Sequence, residues 1–138
     1  DADFMVKVID VYPEKFEYSK TARSYLKSDY PMSGYQLMIR GELFRGRFRK
    51  GFDNPLPFKP EEITPVNYTL YDVAHTFLPG HRLMIQIQSS WFPIIDRNPQ
   101  RFIDTYHCTV EDFVMKQKSK IYHQQGAASR VILPVVKK

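Results

Sequence analysis

The side chains able to do chemistry are scattered along this chain, and their spacing limits what they can be. Serine hydrolysis needs a nucleophile held on a sharp strand-to-helix turn, for which G-x-S-x-G is the usual signature. No such string occurs, and Ser19, Ser24, Ser28, Ser33, Ser89, Ser90, Ser119 and Ser129 all lack that context. A triad drawn from distant residues demands a geometry that no segment here signals. Metal binding is the next chemistry to test. The histidines are His75, His81, His107 and His123, with Asp72 near the first two. No H-x-H or H-E-x-x-H spacing is present, and Cys108 has no second cysteine to join it. His75 and His81 are therefore read as hydrogen-bonding groups around the turn at Pro79-Gly80. Cys108 as a nucleophile fails on direction, because the adjacent His107 would point to the opposite face of a strand. Glu61-Glu62 and Glu111-Asp112 read as exposed or capping charges, and no Gly-rich phosphate loop exists. No catalytic residue, metal ligand or cofactor is assigned. Tyr25, Tyr30, Tyr35, Trp91 and Phe92 could form a sugar-stacking platform, although core or interface packing is the commoner use of aromatics in an all-β domain.

Strands must position these residues. Residues 4–11 are rich in Val and Ile and end at Pro13, which cannot donate to a ladder. Residues 14–33 form a polar, Tyr-rich excursion, and residues 34–39 (GYQLMI) a second strand. In residues 42–50, Phe44, Gly46 and Phe48 alternate with Arg45, Arg47 and Arg49. That pattern predicts a strand with phenylalanines on one face and arginines on the other, a short helical turn around Leu43 being the alternative. Pro55, Pro57, Pro60 and Pro65 make an extended connection. Residues 66–70 are a strand candidate, and Leu78-Pro79-Gly80 is a turn. The clearest strand is 82–90, where Leu83, Ile85 and Ile87 alternate with Met84, Gln86 and Gln88. Residues 90–100 (SWFPIIDRNPQ) read as a structured loop. Thr109 followed by Asp112 predicts a capping box that opens one short helix over 110–117, and 118–123 and 130–136 close the chain as strands. Many strands broken by Pro and Gly, with little helix, indicate a β-sandwich or barrel.

Composition agrees. The chain has 138 residues, 43% hydrophobic and 14% aromatic. That is one domain, able to bury roughly two-thirds of the surface its unfolded form exposes. No apolar run approaches the roughly 18 residues needed to cross a bilayer, so a membrane-spanning reading is dropped. With Cys108 alone there is no internal disulfide, which excludes a disulfide-rich scaffold. The net charge of +5 gathers in part at Arg40, Arg45, Arg47, Arg49 and Lys50. No nucleic-acid motif accompanies it, so these charges read as a solvent or inter-domain face. The opening DADFMVKVIDV has no initiator Met and no signal peptide and runs at once into strand-like residues, so the expectation is a chain continued upstream.

Three strings carry a resemblance: DADFMVKVIDVYP at the start, GYQLMIRGELFRGRFRKGF over 34–52, and HTFLPGHRLMIQIQSSWFPIIDRNPQ over 75–100. Together they resemble the C-terminal domain of the CocE/NonD hydrolases, a group that includes X-Pro dipeptidyl-peptidase. They are most similar to its α-amino-acid ester hydrolase and glutaryl acylase branch. The likeness extends to the closing VILPVV and is weakest over 14–33. It implies an all-β jelly-roll sandwich, galactose-binding-like, with one short helix, spanning 1–138 as a single C-terminal domain. It also implies a serine hydrolase of ester or amide bonds, dipeptidyl-peptidases among them, whose Ser, Asp and His lie in an upstream α/β-hydrolase domain beside a helical cap. None of the three maps onto a position here. The domain's expected role is to pack on the catalytic domain and help wall its cleft.

Under that reading Leu83, Ile85 and Ile87 belong in the sandwich core. Trp91 and Phe92, on the loop leaving that strand, either face the parent's catalytic domain or are core themselves. Arg45 and Arg47 are expected at the inter-domain or solvent face. Nucleic acid and membrane are not expected partners. Self-association through the patch meant for the partner domain stays open. Relatives of that branch are often exported, which leans towards a periplasmic or secreted protein. Two other functions compete. A free-standing carbohydrate-binding module requires coplanar aromatics on one exposed face, and a nucleic-acid binder requires steep salt dependence.

Overall fold

The computed structural model describes residues 1–19, 30–113 and 116–136. Of the expectations above, Ser24, Ser28, Tyr25 and the middle half of the 14–33 excursion lie outside these residues. The chain is all-β: among the described residues the regular elements are three strands and two single turns of 3-10 helix. Strands β1 (Asp3–Val11), β2 (Gln36–Arg45) and β3 (Arg82–Gln88) form one antiparallel sheet in the order β2-β1-β3.

The Val- and Ile-rich β1 takes the centre, where β-branched side chains pack best against neighbours on both sides. Met5, Ile9 and Val11 are 0%, 4% and 7% exposed and, with Ala2, form the buried core. β2 carries a bulge. Val8 pairs with Arg40 but Ile9 pairs with Met38, so Ile39 is the extra residue. A bulge shifts the phase of the strand that holds it. Here it brings Met38 onto the face of Gly41 and Leu43, against Met5 of β1. Gly41 is needed at that spot, because a Cβ there would lie 2.6 Å from Met5 Cε and 3.3 Å from the Trp91 ring.

The strand expected over 42–50 is corrected. β2 stops at Arg45, and Gly46–Phe48 is a 3-10 turn. The break falls at Gly46, where the chain comes very close to its neighbours. The Gly46 N–H donates to Ala2 O at 2.8 Å, and a Cβ on it would come within 2.5 Å of the Phe58 ring. The chain therefore turns where its alternation continues. The helix expected over 110–117 is likewise one 3-10 turn, Val110–Asp112, followed by extended Phe113; residues 114 and 115 lie outside the described set. Its cap is as expected, with Thr109 N–H donating to Asp112 Oδ2 at 2.8 Å.

Residues 66–70, 118–123 and 130–136 have strand composition but hold no ladder among the described residues. Leu83 and Ile87, expected as core, are 45% and 40% exposed. β3 is an edge strand, and the face it shares with Phe4, Val6 and Val8 is only partly covered, chiefly where Tyr68 stacks on Phe44 at 4.9 Å. The total accessible surface is 11,564 Å² for 16.3 kDa, about half as much again as a compact monomer of that mass. No described helix is long and apolar enough to cross a membrane.

Candidate functional site

The loop that leaves β3 is the most strongly built irregular segment, and its foundations are the first residues of the chain. Asp3, 3% exposed, accepts from Arg45 Nε at 3.0 Å and Nη2 at 3.1 Å, and from Asn98 Nδ2 at 2.7 Å. Arg45 Nη2 also reaches Asp96 Oδ2 at 3.3 Å, which ties the strand end to the loop. Arg47 donates to Asp1 Oδ2 at 2.7 Å, Ile103 O at 2.8 Å and Arg101 O at 3.1 Å, and lies over the Phe102 ring. Arg49 does the same for the next segment, donating to Leu56 O at 2.6 Å and Pro57 O at 2.7 Å. Arg45 and Arg47, expected on an outer face, therefore turn inward, and Arg47 is 9% exposed. The cause is Gly46. Once the strand ends there, Arg47 leaves the alternation and enters the acceptor-rich bend at 101–103.

The two arginines respond differently to the same neighbourhood. The hydrogen bond to Asp3 raises the Arg45 pKa above its ordinary value. Burial lowers that of Arg47, with the Arg45 charge adding to the effect. Arg45 is thus the better-compensated cation. Charge-assisted bonds of this kind are roughly twice as strong as neutral ones, and the bidentate Arg45–Asp3 pair also fixes orientation.

On this base the loop presents two different aromatics. Trp91 is half-buried against the sheet over Gly41, with Lys7 Nζ 5.6 Å from its ring centroid. Phe92 points outward at 65% exposure, and Ile94 follows at 69%. The Arg97 guanidinium sits 5.7 Å from the Phe92 ring centroid and 5.2 Å from that of Phe113. The Trp91–Phe92 pair thus divides, one residue serving the core and one the surface.

Other candidate residues find ordinary partners. His75 Nε2 and His81 Nδ1 converge on Asp10, at 2.9 and 2.8 Å, and not on Asp72. Asp10 is 1% exposed, and composition alone gave no sign of it, since it sits inside a hydrophobic strand. The available signal was its alternation with Val8 and Tyr12, which places it on one face of β1. Among the described residues no group of three His, Cys, Asp or Glu side chains is arranged to hold a metal ion. The Cys108 thiol donates to Thr105 O, and His107 Nδ1 is engaged with Asp104 at 2.6 Å. Ser33 and Ser90 accept from the backbone N–H groups of Phe16 and Phe92. Among the described residues the aromatics form no flat platform: Tyr35 meets Tyr12 edge-on at 79°, and Trp91 is turned into the sheet.

What remains is a rigid, partly apolar surface loop without reactive groups, on a domain with surplus exposed surface. The family of X-Pro dipeptidyl-peptidase C-terminal non-catalytic domains matches residues 1–132. The chain belongs to that family. As a non-catalytic domain of this family, it is 27% identical to cocaine esterase of Rhodococcus sp. (strain MB1 Bresler) over 138 residues, which is 100% of this chain and 21% of that protein. It is also similar to the crystal structure of an aminopeptidase from a marine sediment archaeon, Thaumarchaeota archaeon. There the TM-score is 0.69 with 40% identity, covering 83% of this chain and 17% of the other. The chain thus spans about a fifth of the length of these relatives. Both relatives fit the resemblance read from the three sequence strings.

Proposed function

We propose that this domain docks through the 91–97 loop onto the α/β-hydrolase domain of its parent polypeptide and helps wall that domain's cleft. The parent hydrolyses ester or amide bonds by serine acyl transfer, with nucleophile, base and acid all supplied from outside these 138 residues. The observation that carries the reading is the outward pair Phe92 and Ile94, held on a loop that Arg45 and Asn98 clamp from beneath, with Arg47 bracing the bend at 101–103 that follows it. Exposed apolar side chains on a rigid base are how a docking surface avoids an ordering cost on binding. Arg45 and Arg47 serve the contact from behind, by fixing the loop. The large accessible surface supports the same reading, because a domain that packs on another leaves apolar area open when alone.

The test is Phe92→Ala in the full-length parent. Loss of docking should lower kcat/KM and expose the loop's amides to hydrogen exchange, while the domain's own unfolding midpoint stays unchanged. Unaltered kinetics together with unaltered exchange would sink the proposal. Trp91→Ala is the contrasting variant, expected to lower stability first because its ring covers Gly41.

A further inference from the structure

We infer that Arg97 is the charged anchor of the docking loop and receives a carboxylate, an Asp or Glu side chain, from the surface of the parent's α/β-hydrolase domain. The inference rests on the docking reading above and names the chemistry of what the loop meets. Arg97 is exposed, and its guanidinium lies near two rings, those of Phe92 at 5.7 Å and Phe113 at 5.2 Å. Among the described residues it has no carboxylate within ion-pair distance and no hydrogen-bond acceptor. Arg45, Arg47 and Arg49 differ, since all three donate to acceptors inside the chain. Two acids close to Arg97 in sequence or near its rings are engaged elsewhere, Asp96 with Arg45 at 3.3 Å and Asp112 with Thr109 N–H at 2.8 Å.

Both rings lie within cation–π range of the guanidinium and attract it electrostatically, while its N–H groups stay free to donate. A planar fork with a free edge matches a carboxylate in bidentate geometry. Phe92 and Ile94, 65% and 69% exposed, stand beside it as the apolar ring that would exclude water from such a pair. An arginine flanked by aromatics is also the composition in which binding energy concentrates at protein interfaces. The domain's net charge of +5 gives it the sign to attract an acidic surface.

The experiment uses the full-length parent carrying Arg97→Lys, which keeps the charge and supplies an amine. A water-soluble carbodiimide then joins the introduced amine to whichever carboxylate it faces, and peptide mass mapping identifies that residue. The expected product links the substituted position to an Asp or Glu of the α/β-hydrolase domain. Three products overturn the inference while leaving docking intact. One is a link only to an acid of this domain such as Glu111. Another is a link to a second copy, detected by mixing isotope-labelled chains. The third is no link from the introduced amine while other lysines here couple across. If no lysine of this domain couples to the upstream domain, docking itself fails. As a second readout, Arg97→Glu in the full chain should raise hydrogen exchange of the 91–97 amides roughly tenfold, the scale of one hydrogen bond to a charged group. Unchanged exchange in that variant overturns the role of Arg97.

Discussion

Asp3 shows how much one buried charge can organise. It sits at 3% exposure and takes donors from β2 and from the loop at Asn98, so three segments meet on two oxygens. Removing one partner strands the carboxylate in the interior. Arg45→Met is therefore expected to cost about 3–5 kcal/mol, measured by urea unfolding, whereas Arg45→Met combined with Asp3→Asn should recover much of that loss. A double variant no more stable than the single one would mean that Asp3 is not the group being compensated. Tyr68 offers a second test at this scale. Burial, with the charge of Glu42 adding to it, pushes its phenol up from 10.0 to about 12. A raised acid favours the protonated form in the fold. Its contribution is full below the unfolded value near 10 and is lost as pH rises through about 12. Tyr68→Phe should remove that alkaline loss, read from stability measured across this window.

At the scale of elements, glycines decide where strands stop and how close they come. β2 ends at a close approach, where any Cβ on Gly46 would meet the Phe58 ring at 2.5 Å and the Ala2 carbonyl at 2.9 Å. The carbonyl is backbone and cannot swing away. Gly46→Ala is expected to cost about 1–3 kcal/mol, the usual penalty of overpacking, with the thermal midpoint as the measurement. The variant should also loosen Arg47, since the turn is what aims it at Ile103 O and Arg101 O. The bulge at Ile39 works in the other direction. It adds a residue so that Met38 joins Gly41 on the face that Trp91 covers.

For the whole molecule the governing quantity is surface. An accessible area of 11,564 Å² means that the folded chain leaves much of its apolar surface in contact with water. The urea m-value scales with the area newly exposed on unfolding. For the isolated chain it is expected near the bottom of the range of about 1–3 kcal/mol/M typical of small proteins. A value in the upper part of that range would indicate a chain that closes its open face by itself.

The sequence by itself determined the all-β class, the centres of β1, β2 and β3, the turn at Pro79-Gly80, the Thr109–Asp112 cap and the family resemblance. These are local signals: period-2 alternation, a turn dipeptide, an i, i+3 pair, and strings long enough to compare. The absence of a nucleophile motif was equally legible. Tertiary structure decided the rest. Alternation predicts that Arg45 and Arg47 share an outer face, but it carries no information about Ala2 and Phe58, which lie far away in sequence and make the strand end at Gly46. Asp10 holds His75 and His81 across 65 and 71 residues, a distance over which no spacing rule operates. Trp91 and Phe92 are adjacent and chemically alike, yet Trp91 packs over Gly41 while Phe92 stays exposed. Which side chain is buried and which stays exposed is set by such long-range contacts, and no window along the chain contains both halves of them.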